Sequence, residues 1–105
     1  MEFENGHFVL SERDIAARPG VPEIFPYEDA DKYKRELLQE AKKVADMAAR
    51  YQMSPIHGDK DQHLELVARA CILVTMSEEI QQEVRVHEEI ADVISGFEEL
   101  LNKQS

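Results

Sequence analysis

Cysteine is all but absent from this chain, tryptophan is missing, and bases are scarce. A single thiol, Cys71, excludes an internal disulfide. It lies in the apolar run Ala70-Cys71-Ile72-Leu73-Val74, which predicts a buried, inert side chain. Twelve Lys and Arg stand against 22 Asp and Glu, a formal net charge of −10, so direct nucleic-acid binding through clustered cations is not expected. The terminus Met1-Glu2-Phe3-Glu4 has no basic region leading into an apolar stretch, so no secretory signal is expected. No apolar run approaches the ~20 residues of a membrane span. The expected compartment is the cytoplasm, with no membrane partner.

What is present is helical. Ala, Glu, Leu, Lys and Gln, all good helix formers, are plentiful. From Leu64 to Leu101 there is no proline and one glycine, Gly96, and apolar residues recur at helical spacing throughout. Met76, Ile80, Val84, His87, Ala91, Ile94 and Leu101 make one stripe, which Ile90, Val93, Phe97 and Leu100 widen on one side. Leu64 to Met76 is apolar on nearly every side, which predicts burial all round. Ser77-Glu78-Glu79 reads as a fresh N-cap, so a break near 75–77 is an alternative to one continuous rod, and 85–87 is a second candidate.

Upstream, His7-Phe8-Val9-Leu10 is a short apolar patch, a strand or extended segment whose partner edge could lie in a second subunit. Ser11-Glu12-Arg13-Asp14 reads as a cap and first turn of a short helix that Pro19-Gly20 stops. Pro19, Pro22 and Pro26 frame Val21, Ile24 and Phe25 in an extended arm whose apolar side chains should dock on the domain or on a partner. A long helix follows from Asp29 or Asp31 to Met53, with Tyr33, Leu37, Ala41, Val44, Ala48 and Tyr51 on one face. Pro55 to Asp61 is the turn into the rod, flanked by His57 and His63. The expected architecture is all-α: a small helical bundle built on a long C-terminal helix or helix pair, with a Pro-containing arm at residues 1–26 and a helical domain at 27–105.

Two clusters carry possible chemistry. Glu89 and Asp92 are three apart in His87-Glu88-Glu89-Ile90-Ala91-Asp92-Val93-Ile94, so one helix face offers two carboxylates to a hard cation. Glu83 and His87, four apart, have the spacing of a transition-metal pair, though His87 falls on the apolar seam, where a packed, hydrogen-bonded interface residue is the favoured reading. The run Glu-Glu-Ile-Ala-Asp-Val-Ile resembles the second metal motif of the all-α nucleoside triphosphate pyrophosphohydrolases of the MazG type, and the resemblance covers residues 77–101. It implies Mg²⁺ at Glu89 and Asp92 and a catalytic set of Glu79, Glu83, Glu89 and Asp92. The first motif departs from the family pattern, since Gln82 stands where its second acid belongs and Glu83 is one residue on.

The leading expectation is non-enzymatic and needs no cofactor: a small acidic adaptor, inhibitor or regulator, dimeric, acting on a protein not yet identified. Its interface would use Ile80, Val84, His87, Ile94 and Leu101, with Ile24 and Phe25 as a second contact. The Mg²⁺-dependent pyrophosphohydrolase is the alternative, and an acidic decoy of a nucleic-acid-binding protein, resting on charge alone, is the third.

Overall fold

The computed structural model describes residues 1–52 and 59–104. His57 and most of the expected turn lie outside the described residues. Two helices dominate, α2 (Ala30–Gln52) and α3 (Asp59–Gln104). Before them come β1 (Glu2–Glu4), β2 (His7–Val9), α1 (Glu12–Ala17), β3 (Ile24–Pro26) and a 3₁₀ turn at Tyr27–Asp29. The fold is mostly helical, and the all-α expectation is corrected by a three-stranded antiparallel sheet in the order β1-β2-β3.

The sheet has a local cause. Asn5 and Gly6 both sit at positive φ, 52° and 80°, the geometry of a two-residue hairpin turn that Asn-Gly adopts readily. That turn sets Phe3 opposite Phe8, and β3 then sets Phe25 opposite Phe8 on the other side. The edge partner of His7–Val9 is therefore the chain itself, not a second subunit. Pro26, which has no amide hydrogen to donate, closes edge strand β3. Phe8 and Phe25 stack at 5.1 Å, and Phe25 meets Tyr33 of α2 at 4.5 Å, so the strands are fastened to the helices by rings.

The short helix α1 is capped as its residues predict. Ser11 Oγ accepts from the Asp14 amide at 3.3 Å while the Asp14 carboxylate accepts from the Ser11 amide at 3.0 Å. Asp14 is buried, and its other partner is the Met1 ammonium at 3.0 Å, which also reaches Glu79 at 3.4 Å. The first residue thus ties β1 to α1 and to α3.

Helix α2 buries the expected face: Tyr33, Leu37, Ala41, Val44 and Ala48, with Tyr51 half-buried. It runs antiparallel to α3. Lys34 Nζ donates to Gln81 Oε1 at 2.7 Å near one end, and His63 Nδ1 lies 2.7 Å from the Ala48 carbonyl near the other. Between them, Arg69 donates to the Glu40 carboxylate at 3.1 Å and to the Ala17 carbonyl at 2.6 Å, joining α1, α2 and α3. Phe8, Phe25, Leu37, Val44, Leu73, Met76 and Ile80 are the largest fully buried side chains, and they form one core with the rest of the arm.

Helix α3 passes through residues 75–77 and 85–87 without a break, since neither place has the glycine or proline that would force one. Ser77 is not a cap. It is buried and donates its hydroxyl to the Lys34 carbonyl of α2 at 3.4 Å. The 46 residues make a rod of roughly 69 Å, which sets the long dimension of a molecule measuring 75 × 24 × 16 Å. The expected all-round burial of Leu64–Met76 is also corrected. Leu66, Leu73 and Met76 are buried against α2, whereas Leu64, Val67 and Val74 are exposed because no described element covers that side. Cys71 is exposed for the same reason.

Candidate protein-interaction face

The residues expected to form one continuous seam are divided by the fold. Ile80 is fully buried in the core and Val84 packs on its margin. His87 is half-buried, with the Tyr27 ring at 4.6 Å and the Phe3 ring at 5.0 Å. These three positions serve the chain's own packing. Ile94 and Leu101 remain exposed, at 53 % each. In the arm, Ile24 is exposed, but Phe25 is a core residue and is withdrawn as an interface candidate, because β-pairing turns alternate side chains to opposite faces.

His87 marks where the body ends. Every residue from 88 to 103 is exposed, so about 25 Å of α3 projects with no other described element covering it. The projection is not polar. Ile90, Val93, Ile94, Phe97, Leu100 and Leu101 are all more than half exposed, and Val93 reaches 72 %. Phe97 lies about 100° around the helix from Ile80, so the centre of this stripe is a surface of its own rather than the core face running on. Ile94 and Leu101, seven and fourteen residues beyond His87, drift from the core line by only ~20° per heptad and form the edge of the stripe. The expected interface set thus names the edge and misses the centre, Ile90, Val93, Phe97 and Leu100. Their repeat at three, four and three residues is the signal that locates it.

The second face with uncovered apolar residues is an open groove between α2 and α3. Its lining is mostly apolar, Leu38, Ala45 and Val74 among it, and also carries Cys71, Thr75, Lys42 and Glu78.

The carboxylates follow the helix. Glu79, Glu83, Glu89 and Asp92 all stand on unbroken α3, with Glu79 and Glu89 about 15 Å apart along the axis. No helical hairpin sets the two pairs against each other within one chain. Glu79 is engaged by the Met1 ammonium, while Glu89 and Asp92 are exposed. Among the described residues, no group of three or more His, Cys, Asp or Glu side chains is placed to hold a metal ion. Burial alone would lower the Met1 amine's pKa. The hydrogen bond and charge of Asp14, together with the charge of Glu79, outweigh that and hold it above its ordinary value. Burial likewise works to raise the Asp14 carboxyl, and the Ser11 amide and the ammonium overcome it, leaving the group below its ordinary value. This is a buried structural ion pair.

No protein-family model, curated protein or solved structure matches the chain. No helix among the described residues is long and apolar enough to cross a membrane.

Proposed function

We propose that this protein acts through protein–protein contact, as an adaptor, inhibitor or regulator that self-associates, and that the projecting end of α3 is its contact surface. One observation carries the reading: six large apolar side chains stand exposed on one segment that the chain's own body leaves bare. Contiguous apolar surface of this extent is unusual on a protein that meets nothing, and it marks interaction sites. The surrounding acids keep the segment soluble while it is free.

The test is affinity purification from the native host with the intact chain and with an Ile94→Asp/Leu101→Asp variant. Both substitutions lie outside the core, so the body should fold normally. Proteins recovered with the intact chain and lost with the variant support the reading. Identical recoveries, together with identical hydrodynamic mass, would overturn it.

A further inference from the structure

We infer that the projecting stripe is the seam of an antiparallel pair formed with a second copy of this chain, centred close to Gly96. The inference rests on the contact reading above and adds the occupant, its direction and its register.

The spacing assigns the inner positions of a two-helix seam. Ile90 and Phe97 occupy position a of a heptad, Val93 and Leu100 position d. Ile94 and Leu101 then fall at e, while Glu89, Gly96 and Lys103 fall at g. The remaining acids, Glu88, Asp92, Glu98 and Glu99, take positions b, c and f, which point away from the seam. A second acidic copy can therefore approach this face without meeting most of its negative charge.

Direction follows from the flanks. In an antiparallel pair, e faces e and g faces g. With Ile90 set opposite Leu100 of the second copy and Val93 opposite Phe97, all four inner layers are apolar. The same register sets Ile94 opposite its own copy and His87 opposite Leu101 of the other. It also sets Glu89 opposite Lys103 of the second copy, twice by symmetry, because both stand seven residues from Gly96. A parallel pair would instead press Glu89 against Ile94 of the second copy, a charge against an apolar flank.

Gly96 supplies an independent reason. A Cβ added there would meet nothing within 4 Å in its own chain, and its φ is not positive. Glycine in a helix interior is destabilising, so nothing within one chain favours it. Facing itself across the pair at the flanking g position, it leaves room there beside the bulky Phe97–Val93 layers. Size is also sufficient. Six side chains per copy at roughly 100 Å² each amount to on the order of 1,200 Å² across the pair, within the range of specific interfaces. The two bodies fall at opposite ends, since His87, where each begins, lies level with Leu101 of the other.

The experiment uses the full chain. Light scattering at micromolar concentration should give twice 12.1 kDa. Phe97→Asp should give a monomer of unchanged helical content, because Phe97 lies outside the core. The register is tested by charge reversal. Glu89→Lys and Lys103→Glu, each alone, turn two exposed pairs per dimer repulsive and should weaken association roughly tenfold. The double variant should restore it to within about threefold. Glu89 and Lys103 are about 21 Å apart in one helix, so only a second copy can produce that rescue. Added salt should tighten the self-association, since it screens two chains of charge −10. A wild-type monomer, or a dimer indifferent to Phe97→Asp, overturns the inference. A dimer that Phe97→Asp dissolves but the double reversal does not rescue overturns the antiparallel register alone. A monomer that binds a basic amphipathic peptide through Phe97, more weakly as salt rises, overturns the second copy as occupant while leaving the contact reading standing.

Discussion

The Phe3 ring stands edge-on to the His87 imidazole, with centroids 5.0 Å apart and planes at 73°. One residue belongs to the first strand and the other lies deep in the last helix. Tyr27 closes on the same imidazole from the 3₁₀ turn at 4.6 Å. This aromatic clasp fastens the sheet to α3 at the last position where α3 touches the body. Beyond it the helix is bare, so the clasp divides a single helix into a structural part and a contact part.

The clasp should be measurable as a coupling. Phe3→Ala and His87→Ala are each expected to lower stability, and a double-mutant cycle should return about 0.5–1.5 kcal/mol between them. Denaturant unfolding checks it. Strict additivity would mean that the rings touch without interacting.

Ile80 and Ile94 are two heptads' worth of the same apparent seam, yet they should respond in opposite ways. Ile80 is fully buried, so Ile80→Ala should cost about 2–5 kcal/mol of folding stability. Ile94 is exposed, so Ile94→Ala should leave unfolding at low protein concentration within about 0.5 kcal/mol of wild type. Equal losses for the two would show that the stripe and the core are one continuous surface.

The buried ion pair between the Met1 ammonium and Asp14 bounds the stable pH range on both sides. The Asp14 carboxyl is held low, so the stability it contributes is present above its unfolded value of about 3.9 and is lost as pH falls through the folded value. The amine is held high, so its contribution is complete below about 8 and is lost as pH rises through the folded value. Melting temperature measured from about pH 3 to about pH 10 should therefore decline at both ends. Asp14→Asn keeps an acceptor for the Ser11 amide but removes the charge. It should cost about 1–3 kcal/mol at neutral pH and flatten the alkaline decline. An unchanged alkaline limb would place its cause elsewhere.

Mg²⁺ is expected to change neither the melting temperature nor, with a panel of nucleoside triphosphates, to yield pyrophosphate. The reason is that Glu79 and Glu89 are held apart on one helix and Glu79 already faces an ammonium. Turnover that Asp92→Asn abolishes would restore the pyrophosphohydrolase reading and require the carboxylate pairs of two chains to meet.

Periodicity made the helices legible, because an apolar face at 3.6-residue spacing is written in the chain itself. Tyr33 to Ala48 became the buried face of α2, and Ser11 with Asp14 became a cap. Continuity of α3 was left open at Ser77-Glu78-Glu79, which could equally start a helix; in the fold the Ser77 hydroxyl instead bonds the Lys34 carbonyl of α2. The hairpin turn was also written, in Asn5-Gly6, although the flanking Glu2-Phe3-Glu4 and His7-Phe8-Val9 are too brief for alternation to stand out. What no periodicity could decide was which apolar positions are covered. Leu73 and Val74 are adjacent and alike in chemistry, yet one faces α2 and the other faces solvent. Ile80 and Ile94 share a line along one helix, but the body reaches only as far as His87. That reach is set by where α2 begins and how the sheet folds over its end. Burial is a property of neighbours, and only the tertiary arrangement supplies them.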